Sequence, residues 1–113
     1  MNRSGLGELE QLVLLAVLRL GNDAYGVTIR REIRARTGRS VAPGTIYPTL
    51  DRLERKELVR SWTGEPTAQR GGRSRRHFAL EHAGLRALQE SWQGIASLAE
   101  GLETVLDPEP GQP

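Results

Sequence analysis

No cysteine occurs in the chain, so neither disulfides nor thiolate metal sites are available to it. The two histidines, His77 and His82, are five residues apart rather than the four of a helical metal pair, and no bound metal is expected. The apolar run Leu12 to Leu18 falls far short of the roughly 20 residues that cross a bilayer. There is also no charged stretch followed by a signal-type apolar region and cleavage site, so a cytoplasmic protein is expected, with no membrane partner. Gly71-Gly72-Arg73 is too short for a phosphate-binding loop of Walker type and lacks the following Lys-Ser/Thr. No acid, base and nucleophile set can be assembled from paired motifs. The chain therefore reads as a non-enzyme without a cofactor.

What is present is a segregation of charge that the formal total of +2 conceals. From Tyr25 to Arg76 there are 13 Lys and Arg against 5 acids, a net +8, whereas from His77 onward Arg86 faces six acids, a net −5. A basic middle with an acidic end points to a polyanion bound centrally and kept away from the tail. At 113 residues the chain suffices for one small core, which association with a second copy would help stabilise.

Leu6 to Leu20 predicts a first helix whose Leu12 to Leu18 segment is apolar on every side, and such a helix must be covered all round. Two readings follow: a central core helix, or one whose second side is covered by another subunit. Asp23 is a plausible N-cap for a second helix with Tyr25, Ile29 and Ile33 on its apolar face and Gly38 as its C-terminal stop. Its other face carries Arg30, Arg31, Arg34 and Arg36, either a solvated face or a phosphate contact.

In Val41 to Val59, Ile46, Leu50 and Leu53 recur at helical spacing and hold one side of a short helix to the core. The opposite side offers Thr45, Tyr47, Asp51, Arg52 and Arg55, at a helix start where backbone N–H groups favour an anion. Pro48 conflicts with an uninterrupted helix beginning at Pro43, so the helix either begins there and bends or begins later with Thr45 as its cap. The expected role is DNA recognition. Arg52 is the candidate for reading a base edge, because bidentate arginine to guanine is the commonest specific contact. Tyr47 either touches a phosphate or packs, and Asp51 orients a neighbouring arginine.

Leu58 to Trp62 and Arg75 to Leu80 read as two strands around a Gly- and Arg-rich loop. A hairpin of this kind reaches along a phosphate backbone, with Arg70, Arg73, Arg75 and Arg76 as its contacts. The last helix is expected from His82 to Leu106. Leu85, Leu88, Trp92, Ile95, Ala99, Leu102 and Leu106 follow alternating spacings of three and four, a heptad seam that favours a long partner helix and hence a dimer.

The fold class expected is mainly α with a small two-stranded β-wing. It comprises a winged helix-turn-helix domain over residues 1–81, a long dimerisation helix over 82–106 and a disordered tail over 107–113. At LGELEQLVLLAVLRL, AYGVTIRREI, GTIYPTLDRLERKELV and GGRSRRHFAL followed by Gly84, the sequence resembles the PadR-like bacterial transcriptional regulators. The resemblance implies a homodimeric repressor of a palindromic operator in duplex DNA. It also implies that the C-terminal helix meets the partner's first helix, making Leu14, Leu18, Leu88, Trp92, Ile95 and Leu102 the dimerisation candidates. Relatives of this kind often respond to small molecules, which makes Trp92 a candidate for stacking on a small aromatic effector. Three positions depart from the family pattern: Glu57 replaces a common glycine, while Ala42 and Glu81 replace capping Ser or Thr. The alternative class is a winged-helix interaction module whose basic face meets an acidic protein.

Overall fold

The computed structural model describes residues 5–64 and 75–108. Their order is α1 (Glu8–Leu20), α2 (Gly26–Thr37), α3 (Pro43–Arg55), β1 (Val59–Thr63), β2 (Arg76–Leu80), α4 (His82–Ala99) and α5 (Glu103–Leu106). This is the mainly helical winged fold expected, with β1 and β2 paired antiparallel from Val59↔Leu80 to Thr63↔Arg76.

The first helix is central because its apolar residues occupy more than one side. It packs against α2, α3, β2 and α4, and buries Val13, Leu14, Ala16 and Val17. Leu15 and Leu18 remain about half exposed, at 50% and 52%. The core-helix reading thus holds for one side of the helix, and the other side is left exposed in this chain. Leu14 is wholly enclosed in the monomer core and Leu88 is buried there too, which removes both from the surface a partner could touch. Leu15 is the exposed neighbour that periodicity alone did not separate from Leu14.

Asp23 does not cap α2. Ala24 and Tyr25 are extended and run beside the wing, where the Phe78 N–H donates to the Ala24 carbonyl at 2.9 Å and Tyr25 bridges His77. The helix consequently starts two residues later, with Tyr25 as its N-cap and the Tyr25 N–H bonded to Thr28 Oγ1 at 3.0 Å. Gly38 ends it in the left-handed region, as expected.

The third helix begins at Pro43, with Ala42 as a cap that offers no side-chain bond. Pro48 lies inside it, so the Gly44 carbonyl lacks its usual donor, a loss of about 3 kcal/mol in a helix interior. Burial of Ile46, Leu50 and Leu53 offsets this, each fully enclosed. The helix closes through Leu58 N–H to the Leu53 carbonyl at 3.0 Å, which forces Glu57 to φ +61°. A left-handed glutamate stands where glycine would fit without strain.

The C-terminal segment differs from expectation. The helix stops at Ala99, Glu100 is extended, Gly101 takes φ +86° and only the short α5 follows. The heptad pattern is blind to this break, because leucine spacing continues through a glycine that readily leaves the helical region. Leu102 and Leu106 therefore do not continue the face of α4. The other end of α4 is held closely: the Glu81 N–H donates to the Leu58 carbonyl at 2.9 Å, and a β-carbon at Gly84 would overlap that same carbonyl.

Candidate nucleic-acid interface

With Ile46, Thr49, Leu50 and Leu53 buried, the side of α3 that points away from the body carries Gly44, Pro48, Asp51 and Arg55. Thr45, Tyr47 and Arg52 lie on its flanks, all exposed. The Thr45 carbonyl accepts from Thr49 Oγ1 at 2.8 Å. Tyr47 packs at the start of α2, where a β-carbon at Gly26 would overlap its hydroxyl, and the ring is nevertheless 40% exposed. The hydroxyl end of the side chain thus lies against the start of α2, while the residue as a whole keeps exposed surface beside a helix N-terminus suited to phosphate.

Arg52 is engaged within the chain although its side chain is 45% exposed. Its Nε is 3.1 Å from Glu10 Oε2, and Lys56 Nζ lies 2.9 Å from the same oxygen. Glu10 Oε1 accepts from the Gly7 N–H at 3.0 Å, so this one carboxylate ties the start of α1 to two cations of α3. Burial raises the Glu10 carboxyl, yet the Gly7 amide, then Lys56 and Arg52, outweigh it and hold the group below its ordinary value. Sequence reasoning missed Glu10. A glutamate three residues beyond the cap marks a helix start, but nothing local indicates that it faces cations 42 and 46 residues away.

Arg76 is also committed internally. It bonds Asp51 Oδ1 at 2.9 Å and Glu54, its Nε donates to Ser61 Oγ at 3.2 Å, and its guanidinium covers the Phe78 ring at 4.9 Å. The expectation that Asp51 orients an arginine is met by this bond. Hydrogen bonds from Ser61 hold the Glu54 carboxyl below its ordinary value against a smaller opposing effect of burial, with Arg76 adding to the lowering. The third helix and the wing are thereby fastened together by charge.

At the wing base, the Arg75 guanidinium lies 4.4 Å from the Tyr25 ring centroid and donates to its hydroxyl. Tyr25 meets His77 edge-on at 5.5 Å, and His77 stacks on Trp62 at 5.7 Å. The Gly64 N–H donates to the Arg75 carbonyl at 2.8 Å and closes the described part of the hairpin. This ladder of rings positions the wing against the start of α2. Arg70 and Arg73 lie outside the described residues.

The remaining basic groups divide by geometry. Arg30 donates through Nε to the Val41 carbonyl at 2.6 Å, while Arg31, Arg34 and Arg55 meet no carboxylate among the described residues. No group of three or more His, Cys, Asp or Glu is placed to hold a metal among the described residues, and no helix there is long and apolar enough to cross a membrane. On α4, Trp92 and Ile95 are 70% and 56% exposed. Among the dimerisation and effector candidates Trp92, Ile95, Leu18 and Leu102 thus present apolar surface, whereas Leu14 and Leu88 do not.

Comparison with known proteins agrees with this geometry. Transcriptional regulator Rv3488 of Mycobacterium tuberculosis is 39% identical over 80 residues, covering 69% of this chain and 68% of the relative. A PadR family transcription regulator from Clostridium difficile superposes with a TM-score of 0.74 at 24% identity, covering 89% of this chain and 100% of the other, which shows a shared fold. A PadR-like transcription factor from Bacteroides fragilis gives a TM-score of 0.68 at 26% identity, covering 91% and 92%. Residues 14–90 match the transcriptional regulator PadR-like family over most of the winged domain and the first part of α4, and the chain belongs to that family.

Proposed function

We propose that the chain is a homodimeric, sequence-specific DNA-binding repressor that acts on a palindromic operator. The observation that carries this reading is the outward side of α3 standing beside a basic wing base, with Tyr47 at the start of α2 on one flank and Arg75 and Arg76 on the wing. Each subunit lays α3 in a major groove, and Tyr47 and Arg75 meet the phosphate backbone on either side. The wing residues Arg70 and Arg73 extend the same contact.

Dimerisation is supported by two uncovered apolar surfaces, Leu15 and Leu18 on α1 and Trp92, Ile95 and Leu98 on α4. A groove of about 480 Å³ between α1 and α2, lined by Leu12, Leu15, Leu18 and Ile33, receives α4 of the second copy. Within one chain Trp92 stands among the polar Arg86, Gln89, Glu90 and Gln93, so a planar aromatic effector stacked on it would take its other apolar walls from the partner. Effector binding there would relieve repression.

Selection of duplexes from a random pool by the purified protein, combined with sedimentation of the selected complex, tests the reading. A symmetric motif bound by two chains is expected. Binding without sequence preference, or retention of an acidic protein in place of DNA, would sink it and favour the interaction module.

A further inference from the structure

Gly44, Pro48, Asp51 and Arg55 form a line at i, i+4, i+7 and i+11 on α3, opposite the buried Ile46, Leu50 and Leu53. The line is chemically sparse. Gly44 has no side chain, and a β-carbon there would meet nothing, so the fold itself does not demand glycine. Pro48 brings no donor, and Asp51 is held by Arg76 at 2.9 Å. One flank further round, Arg52 and Lys56 are both turned to Glu10. Arg55 is exposed and meets no carboxylate among the described residues.

These positions bear on which arginine can read a base. Arg52 gives its Nε to Glu10, whose side chain is only 7% exposed, and that bond draws the guanidinium toward α1 and costs free energy to break. Arg55 gives up only water. The narrow spine of Gly44 and Pro48 lets the helix settle deep in a groove, bringing base edges within reach of a long side chain. We infer that Arg55 is the specificity-determining residue of α3, its guanidinium donating to the O6 and N7 edge of a guanine, an assignment that rests on the DNA-binding reading above. Arg52 and Lys56 then serve to hold α3 against α1.

The test uses the intact protein and its Arg55→Ala, Arg55→Lys and Arg52→Ala variants, each carried through selection from a random duplex pool and titrated on the motif of the parent. Thermal unfolding accompanies each titration to confirm that Arg55→Ala is folded. Arg55→Ala is expected to lose one guanine from the motif and to bind the parental duplex about tenfold or more weakly. Arg55→Lys keeps the charge without the fork and is expected to lose the same guanine while retaining the parental salt slope. Arg52→Ala is expected to keep the motif. The assignment is overturned if Arg55→Ala or Arg55→Lys returns the parental motif, or if Arg52→Ala alone erases the guanine. Absence of any motif from the parent would instead overturn the DNA-binding reading on which the assignment stands.

Discussion

The hydroxyl of Tyr47 occupies the space that a β-carbon at position 26 would need, so α3 and the start of α2 fit together only because residue 26 is glycine. Gly26→Ala brings two opposed effects. Alanine favours a helix over glycine by up to about 1 kcal/mol, whereas forcing a ring out of a packed contact costs about 1–3 kcal/mol. The clash should win, lowering stability by about 1 kcal/mol or more. Denaturant midpoints check this, and a smaller effect of Gly26→Ala in a Tyr47→Ala background than in the parent identifies the ring, whose hydroxyl, Cζ and Cε1 all crowd that β-carbon, as the obstacle. An unchanged midpoint in the single variant would show that Tyr47 moves away without penalty.

Glu57→Gly should act in the opposite direction. At φ +61° a glutamate carries strain of about 1 kcal/mol that glycine relieves. The expected result is a higher urea midpoint at constant slope. A lower midpoint would mean that the gain in backbone entropy of the unfolded chain outweighs the relieved strain.

The depressed carboxyls of Glu10 and Glu54 make stability dependent on pH. Their folded values lie below the ordinary 4.5, so the stabilisation is fully present above that pH and is lost as pH falls through the depressed values. Glu10→Gln should lower stability at pH 7 by about 1.5–3 kcal/mol, the range for hydrogen bonds to charged groups. It should also flatten the acid limb. Unfolding titrations at pH 7 and pH 4 measure both, and equal losses at the two values would remove Glu10 from the acid response.

Removing Arg76 should weaken DNA binding for an indirect reason. Asp51 and Glu54 would be left unneutralised beside the outward side of α3, the one proposed to enter the groove. The double variant Arg76→Ala/Asp51→Asn should recover affinity lost by the single one, a coupling visible in a double-mutant cycle. Strict additivity would place Arg76 in direct contact with phosphate.

Arg75→Ala should weaken binding to all duplexes alike and lower the salt slope by about one, as expected for one lost phosphate contact. A parental slope would confine Arg75 to its contact with Tyr25.

Much of the fold was legible because it rests on local rules. Burial of Ile46, Leu50 and Leu53 follows from their spacing, Gly38 stops α2, and the unsuited residues Ala42, Glu57 and Glu81 stand where the helix ends lack help. The partners of the arginines were not legible, since Glu10 reaches Arg52 and Arg76 reaches Asp51 only after the chain has folded. A count of charges records how many cations exist and not which have been used. The break at Gly101 escaped for a related reason: the heptad pattern registers side-chain spacing, while the break is a backbone torsion.

Gly84 seats α4 on the carbonyl of Leu58, just beyond the end of α3. Backbone rests on backbone there, with no side chain whose rotamer could give. In the proposed two-fold pair joined through α4, this seat would work as a ruler, setting the angle at which each α3 leaves the shared axis and therefore the number of base pairs between half-sites. One methyl group at position 84 would tilt the ruler, altering the spacing of preferred operators while leaving every residue that touches DNA unchanged.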